Sequence, residues 1–136
     1  MAKMPPGSSP RETERGLAAR EKITKGRAGE TAAAFLLEDK GMRILARNFR
    51  SSWGEVDIIA LEGETLVFTE VKTWSGYGID SLEQALDCKK QHKIIETSKY
   101  FLLLHREYRY MAVRFDVVFI SPEGITHLAS AFTERV

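Results

Sequence analysis

Apolar residues recur at helical spacing once the chain passes about Gly26. In GRAGETAAAFLLEDKG, Ala28, Ala32, Phe35 and Leu36 share one face, and Gly41 stands where a helix would stop. The pattern then changes to strands. MRILARNF (42–49) alternates in part, while GEVDIIAL (54–61) and TLVFTEVK (65–72) are short and β-branched. Glu62-Gly63-Glu64 between the last two reads as a tight turn, with glycine where positive φ is needed. WSGYG (74–78) reads as a loop. Ser81 is placed to cap a long second helix reaching about His105, with Leu82, Ala85, Leu86, Ile94, Ile95, Ser98 and Leu102 on its inner side. VRFDVVFIS (113–121) predicts a fourth strand and ITHLASAF (125–132) a fifth, joined through Pro122-Glu123-Gly124.

The order is helix, three strands, helix, then one or two strands. Three consecutive short-linked strands should form an antiparallel meander, and the long helix should carry the chain across to the fourth. The fold class is therefore α/β, a mixed sheet with helices packed on it. Residues 1–25 are rich in Pro, Gly, Ser and charge and poor in large apolar side chains. They read as a disordered or loosely helical arm ahead of one domain at 26–136.

Charge sharpens that division. The 136 residues carry a formal charge of only +1, yet residues 1–27 hold seven Lys/Arg against three Glu, and the remainder is mildly acidic. A basic arm suits a polyanionic partner, and it equally suits a solubilising tail. Cys88 is the only cysteine, which excludes an internal disulfide, and the scattered His92, His105 and His127 exclude a structural zinc site. No apolar run approaches the roughly 18 residues of a membrane span, and Pro5, Pro6 and Pro10 interrupt any secretory signal. The expected compartment is the cytoplasm, with no membrane partner.

Two acids interrupt the apolar strands: Asp57 in GEVD and Glu70 in EVK. A charge inside such a strand is costly to bury without a reason. A two-residue turn at Glu62-Gly63 would face Asp57 with Phe68 and Glu55 with Glu70. Alternation would then put Asp57, Glu70 and Lys72 on one face, the two acids as diagonal neighbours. Two carboxylates beside an ammonium suit Mg²⁺ or Mn²⁺, which take hard oxygen ligands and leave positions for water and phosphate. Cross-strand ion pairs on a solvated face would use the same residues.

GEVD, a hairpin of about a dozen residues and then EVK resembles the PD-(D/E)xK nuclease superfamily, whose restriction-endonuclease-like core runs α-β-β-β-α-β. More closely, GRAGETAAAFLLEDKGMRILARNFRSSWGEVDIIALEGETLVFTEVKT, the KKQ-bearing helix and RFDVVFI are similar to the YraN family, bacterial proteins resembling Holliday junction resolvases; the match spans about 26–121. The resemblance implies Asp57 and Glu70 as metal ligands, with the Val71 carbonyl as a further oxygen. It implies Lys72 beside the attacking water and Glu30 as a helix acid approaching the site, although a first-turn glutamate is also favoured by the helix dipole alone. It also matches Lys90 and Gln91 to a Lys-Gln pair facing phosphate; a plain solvated helix face would carry the same run. Arg47, Arg50 and Trp53 precede the motif and are candidates for sugar-phosphate contact, and Trp53 and Trp74 for base stacking, with ordinary packing the competing role for tryptophan. Trp74 stands where the family often has arginine, which weakens a phosphate contact there. Asp116 is expected in a structural ion pair with Arg114 or Arg43.

The activity implied is metal-dependent phosphodiester hydrolysis in nucleic acid, DNA foremost, on branched or flapped substrates whose two-fold symmetry would favour a homodimer. A non-catalytic module binding nucleic acid or protein on the same fold is the alternative. A metabolic enzyme using the acids for proton transfer is disfavoured by the absence of any cofactor motif.

Overall fold

The computed structural model describes residues 14–73 and 86–134. Helix α1 spans Glu14–Asp39, β1 Arg43–Arg50, β2 Glu55–Glu62, β3 Thr65–Thr73, α2 Cys88–Leu104, β4 Ala112–Ser121 and β5 Gly124–Phe132, with a short 3₁₀ turn at Arg106–Tyr108. The strands lie side by side in chain order as one five-stranded sheet. β1, β2 and β3 form the antiparallel meander, β3 and β4 are parallel, and β5 returns antiparallel on β4. A parallel neighbour requires a crossover, and α2 lies within it. The chain is thus an α/β protein with a mixed sheet, consistent with the restriction-endonuclease-like core.

Among the described residues, one helix packs on each face of the sheet. Leu86, Ile94 and Phe101 pack on Ile59, Leu66, Phe68, Phe115 and Val117. On the other face Ala33, Ala34 and Leu37 of α1 pack on Ile58, Ala60 and Val118. Small residues on α1 let it approach closely. A Cβ on buried Gly29 would lie 2.8 Å from Thr73 Oγ1 and 3.3 Å from Ile120 Cδ1, so α1 rests almost directly on the ends of β3 and β4. Gly29→Val should therefore destabilise the protein by about 1–3 kcal/mol, read as a lower urea midpoint with unchanged slope.

Several boundaries differ from the sequence reading. α1 starts at Glu14, not near Gly26, because ERGLAAREKITK is rich in strong helix formers whatever its net charge. Gly41 does end it: at φ 92° its N–H donates to the Glu38 carbonyl and that of Met42 to Leu37. The described part of the second helix is capped by Asp87, whose side chain accepts from the Lys90 N–H at 2.8 Å. Ser81 and the WSGYG segment, with Trp74, lie outside the described residues. The buried stripe of α2 is Ile94, Thr97, Ser98 and Phe101; Ile94 and Ser98 are as expected, whereas Thr97 and Phe101 take the places expected of Ile95 and Leu102, which are half-buried. Phe101 commands that stripe because its ring meets Phe68 and Phe49 edge-on at 5.9 and 5.2 Å.

Candidate metal centre

The hairpin joining β2 and β3 decides where the acids fall. Its ladder pairs Glu62 with Thr65, Leu61 with Leu66, Ile59 with Phe68 and Ile58 with Thr69. The two-residue turn is therefore Gly63-Glu64, with Gly63 at φ 59°, and not the expected Glu62-Gly63. This register differs by two from the one inferred, so its parity is kept. Asp57 meets β3 at Glu70–Val71 and not at Phe68.

The ladder ends at Ile58–Thr69, where the strands part. Asp57 fills the gap: its Oδ2 accepts the Val71 N–H at 2.7 Å, a side chain standing in for a strand carbonyl. Alternation is broken here as well. Val56 joins Ile59 in the cluster under α2, although three positions apart, while Ile58 faces α1. One-face projection is thus not what unites the acids. They converge because the sheet opens at this end, between the two helices.

The resulting cleft has a volume of about 410 Å³ and is lined by Glu30, Gly54, Glu55, Asp57, Glu70, Lys90, Lys93 and Ile94. Carboxylate oxygens of Glu30, Glu55 and Asp57 all lie within 4.8 Å of one another. Glu70 is only 8% exposed and is paired with Lys90 Nζ at 2.7 Å. Asp57 is pushed up to about 8, first by burial and then by the Glu70 charge; the Val71 N–H pulls the other way, and a hydrogen bond to Glu70 and the Glu30 charge add to the rise. A proton on Asp57 and the Lys90 ammonium thus offset two of the four crowded acids, and Arg50 pairs with a third, Glu55. Glu30 Oε2 is buried and has no hydrogen-bond partner. An orphaned carboxylate oxygen facing a set of hard oxygen donors fits a divalent cation of the Mg²⁺ or Mn²⁺ type.

Of the residues singled out in the sequence, Asp57, Glu70, Glu30 and Lys90 line the cleft together, and Glu55 joins them. Val71 is not among the lining residues but donates its N–H to Asp57, which is. Lys72 follows on β3, partly buried and paired in the ladder with Phe119, and is not among the lining residues. Gln91 is turned away: its Nε2 donates to the Leu86 carbonyl at 2.8 Å and supports the start of α2. Arg47 donates to Thr31 on α1, and exposed Arg50 pairs with Glu55 at 3.2 Å. Trp53 is 47% exposed on the loop that leads into Gly54. That loop is held by Ser51, whose hydroxyl bonds Thr97 on α2 at 2.7 Å. Lys93 also lines the cleft, a residue the sequence does not single out. Its nearness to Gly54, where a Cβ would meet Lys93 Cβ at 3.3 Å, depends on tertiary packing and leaves no local signal.

The open sheet end, the acid cluster and the two flanking helices define a protein with a nuclease-like α/β fold. The chain belongs to the family described as "Uncharacterised protein family UPF0102", the YraN family, whose profile matches residues 29–120. A UPF0102 protein of Persephonella marina is 43% identical over 108 residues, covering 79% of this chain and 92% of that one. A UPF0102 protein of Treponema pallidum (strain Nichols) is 40% identical over 118 residues, covering 82% and 94%. One from Lachnoclostridium phytofermentans is 41% identical over 111 residues, again 82% and 94%. Among the described residues no helix is long and apolar enough to cross a membrane.

Proposed function

We propose that this protein is a metal-dependent endonuclease that hydrolyses phosphodiester bonds in nucleic acid, DNA foremost, in the cytoplasm. The observation that carries the reading is the cluster of Glu30, Asp57 and Glu55 carboxylates, with Glu30 Oε2 buried and partnerless, in a cleft that also holds Glu70. Asp57, Glu70 and Glu30 would hold Mg²⁺ or Mn²⁺, with Glu55 as an adjacent acceptor. A dication bound there polarises a phosphoryl oxygen and acidifies a water molecule. The Val71 N–H fixes the Asp57 carboxylate, so this ligand costs little to order. Lys93 and Lys90 supply positive charge at the rim of an otherwise acidic cleft, where a phosphate would enter. Lys72, two residues beyond Glu70 on β3, is the further candidate for orienting water. Branched or flapped DNA and a homodimer complete the reading.

The test is incubation of purified protein with branched, flapped, single-stranded and duplex DNA in Mg²⁺, Mn²⁺ or EDTA. Wild type should nick at least one substrate in metal and none in EDTA, and Glu70→Gln should lose at least about 10²-fold in rate. Cleavage that survives both EDTA and Glu70→Gln would refute the assignment.

A further inference from the structure

Lys90 is attached to the candidate centre more firmly than a rim residue needs to be. Its Nζ lies 2.7 Å from Glu70 Oε1, and the Glu70 side chain is 10% exposed. A carboxylate so buried requires a cation, since unpaired it would carry its full desolvation cost. The lysine is also held in place. Asp87 caps the helix through the Lys90 N–H, and Gln91 ties the same turn to the Leu86 carbonyl. The first turn of α2 therefore presents an ammonium at the carboxylate that a metal would need.

We infer that Lys90 is the resident counter-ion of the metal-free centre: a dication competes with its ammonium for Glu70 and, on binding, releases it into the cleft as a phosphate ligand. This rests on the proposed metal site and adds an exchange to it. Two positive charges cannot share one buried carboxylate at such range without mutual repulsion. The released ammonium remains in a cleft also lined by Lys93, one helical turn further on. The acidic centre would thereby gain affinity for phosphate only when metal is present.

The test is calorimetric titration of Mn²⁺ into metal-free wild type and Lys90→Met, with melting temperatures measured with and without Mn²⁺. Lys90→Met should bind Mn²⁺ about tenfold more tightly, melt lower without metal and gain more from it. In a second arm, fluorescence anisotropy with duplex DNA in Ca²⁺ or EDTA should show a smaller Ca²⁺-induced gain in affinity for Lys90→Met than for wild type. If wild type binds Mn²⁺ and Lys90→Met binds it equally or less well, the competition is overturned and the metal site stands. Equal Ca²⁺ gains would overturn the release of Lys90 toward phosphate. If neither protein binds Mn²⁺, the metal reading itself fails, and the exchange with it.

Discussion

Asp57→Asn should abolish metal binding and cleavage while making the metal-free protein more stable at pH 8. The loss of activity follows from removing the charge of the ligand that the Val71 N–H holds in place, and it should exceed about 10²-fold in rate. The gain in stability follows from linkage. Asp57 titrates near 8 in the fold against 3.8 as its ordinary value, chiefly because burial and Glu70 disfavour its charge. Its folded form keeps a proton that the unfolded chain gives up, so its contribution to stability is complete below about pH 4 and is lost as pH rises to about 8. Asparagine can accept from Val71 and donate to Glu70 as the protonated acid does, without that penalty. The melting temperatures of the two proteins should match near pH 4 and separate to several degrees by pH 8, reflecting about 2 kcal/mol. Saturating Mn²⁺ should raise wild type alone. A variant that is less stable than wild type at pH 8 would count against the crowded-acid description.

The second large effect lies away from the cleft. Arg114→Met should destabilise the fold by about 3–5 kcal/mol, lowering the melting temperature by about 10 °C or more. Asp116 is fully buried in β4, and its oxygens accept from Arg114 Nε at 2.8 Å, Arg114 Nη2 at 2.9 Å and the Ser130 N–H at 3.0 Å, with His127 Nε2 at 2.7 Å. Arg114 also reaches across to Glu62 of β2 at 2.8 Å. Burial would raise the Asp116 pKa, yet the Arg114 and His127 hydrogen bonds hold it below the ordinary carboxylate range. Without the guanidinium, a buried charge loses two of its donors and β2 loses its tie to β4. Arg114→Lys should recover little, because a single ammonium cannot reproduce a planar fork. Urea denaturation of the three proteins at pH 7 measures this directly.

Arg114, one of the two partners expected for Asp116, is paired with it, whereas His127 stands in the sequence only as one of three scattered histidines. Only the β4–β5 register, pairing Val118 with His127, brings it to the acid. A similar limit applies to the candidate centre. Asp57 and Glu70 were legible because charge is out of place in EVDIIAL and TLVFTEVK, and an even-length turn keeps such residues adjacent whichever pair forms it. The actual turn at Gly63-Glu64 could not be told from Glu62-Gly63, since either places glycine where positive φ is allowed. The parting of β2 and β3 was invisible because it arises from Asp57 taking the Val71 N–H. Lys72, expected on the same face as the acids, is not among the residues lining that cleft. Lys90 was anticipated as a phosphate contact and stands instead on Glu70. The α1 boundary was missed because net charge and glycine content outweighed helix propensity in reading residues 14–25.

The most direct measurement is anomalous diffraction at the manganese edge from crystals soaked in Mn²⁺, for wild type and Asp57→Asn. A peak within about 2.5 Å of carboxylate oxygens of Asp57 and Glu70 is expected in wild type, weak or lost in the variant. A wild-type cleft that stays without such a peak at millimolar Mn²⁺, Lys90 still on Glu70, would contradict the metal-centre reading.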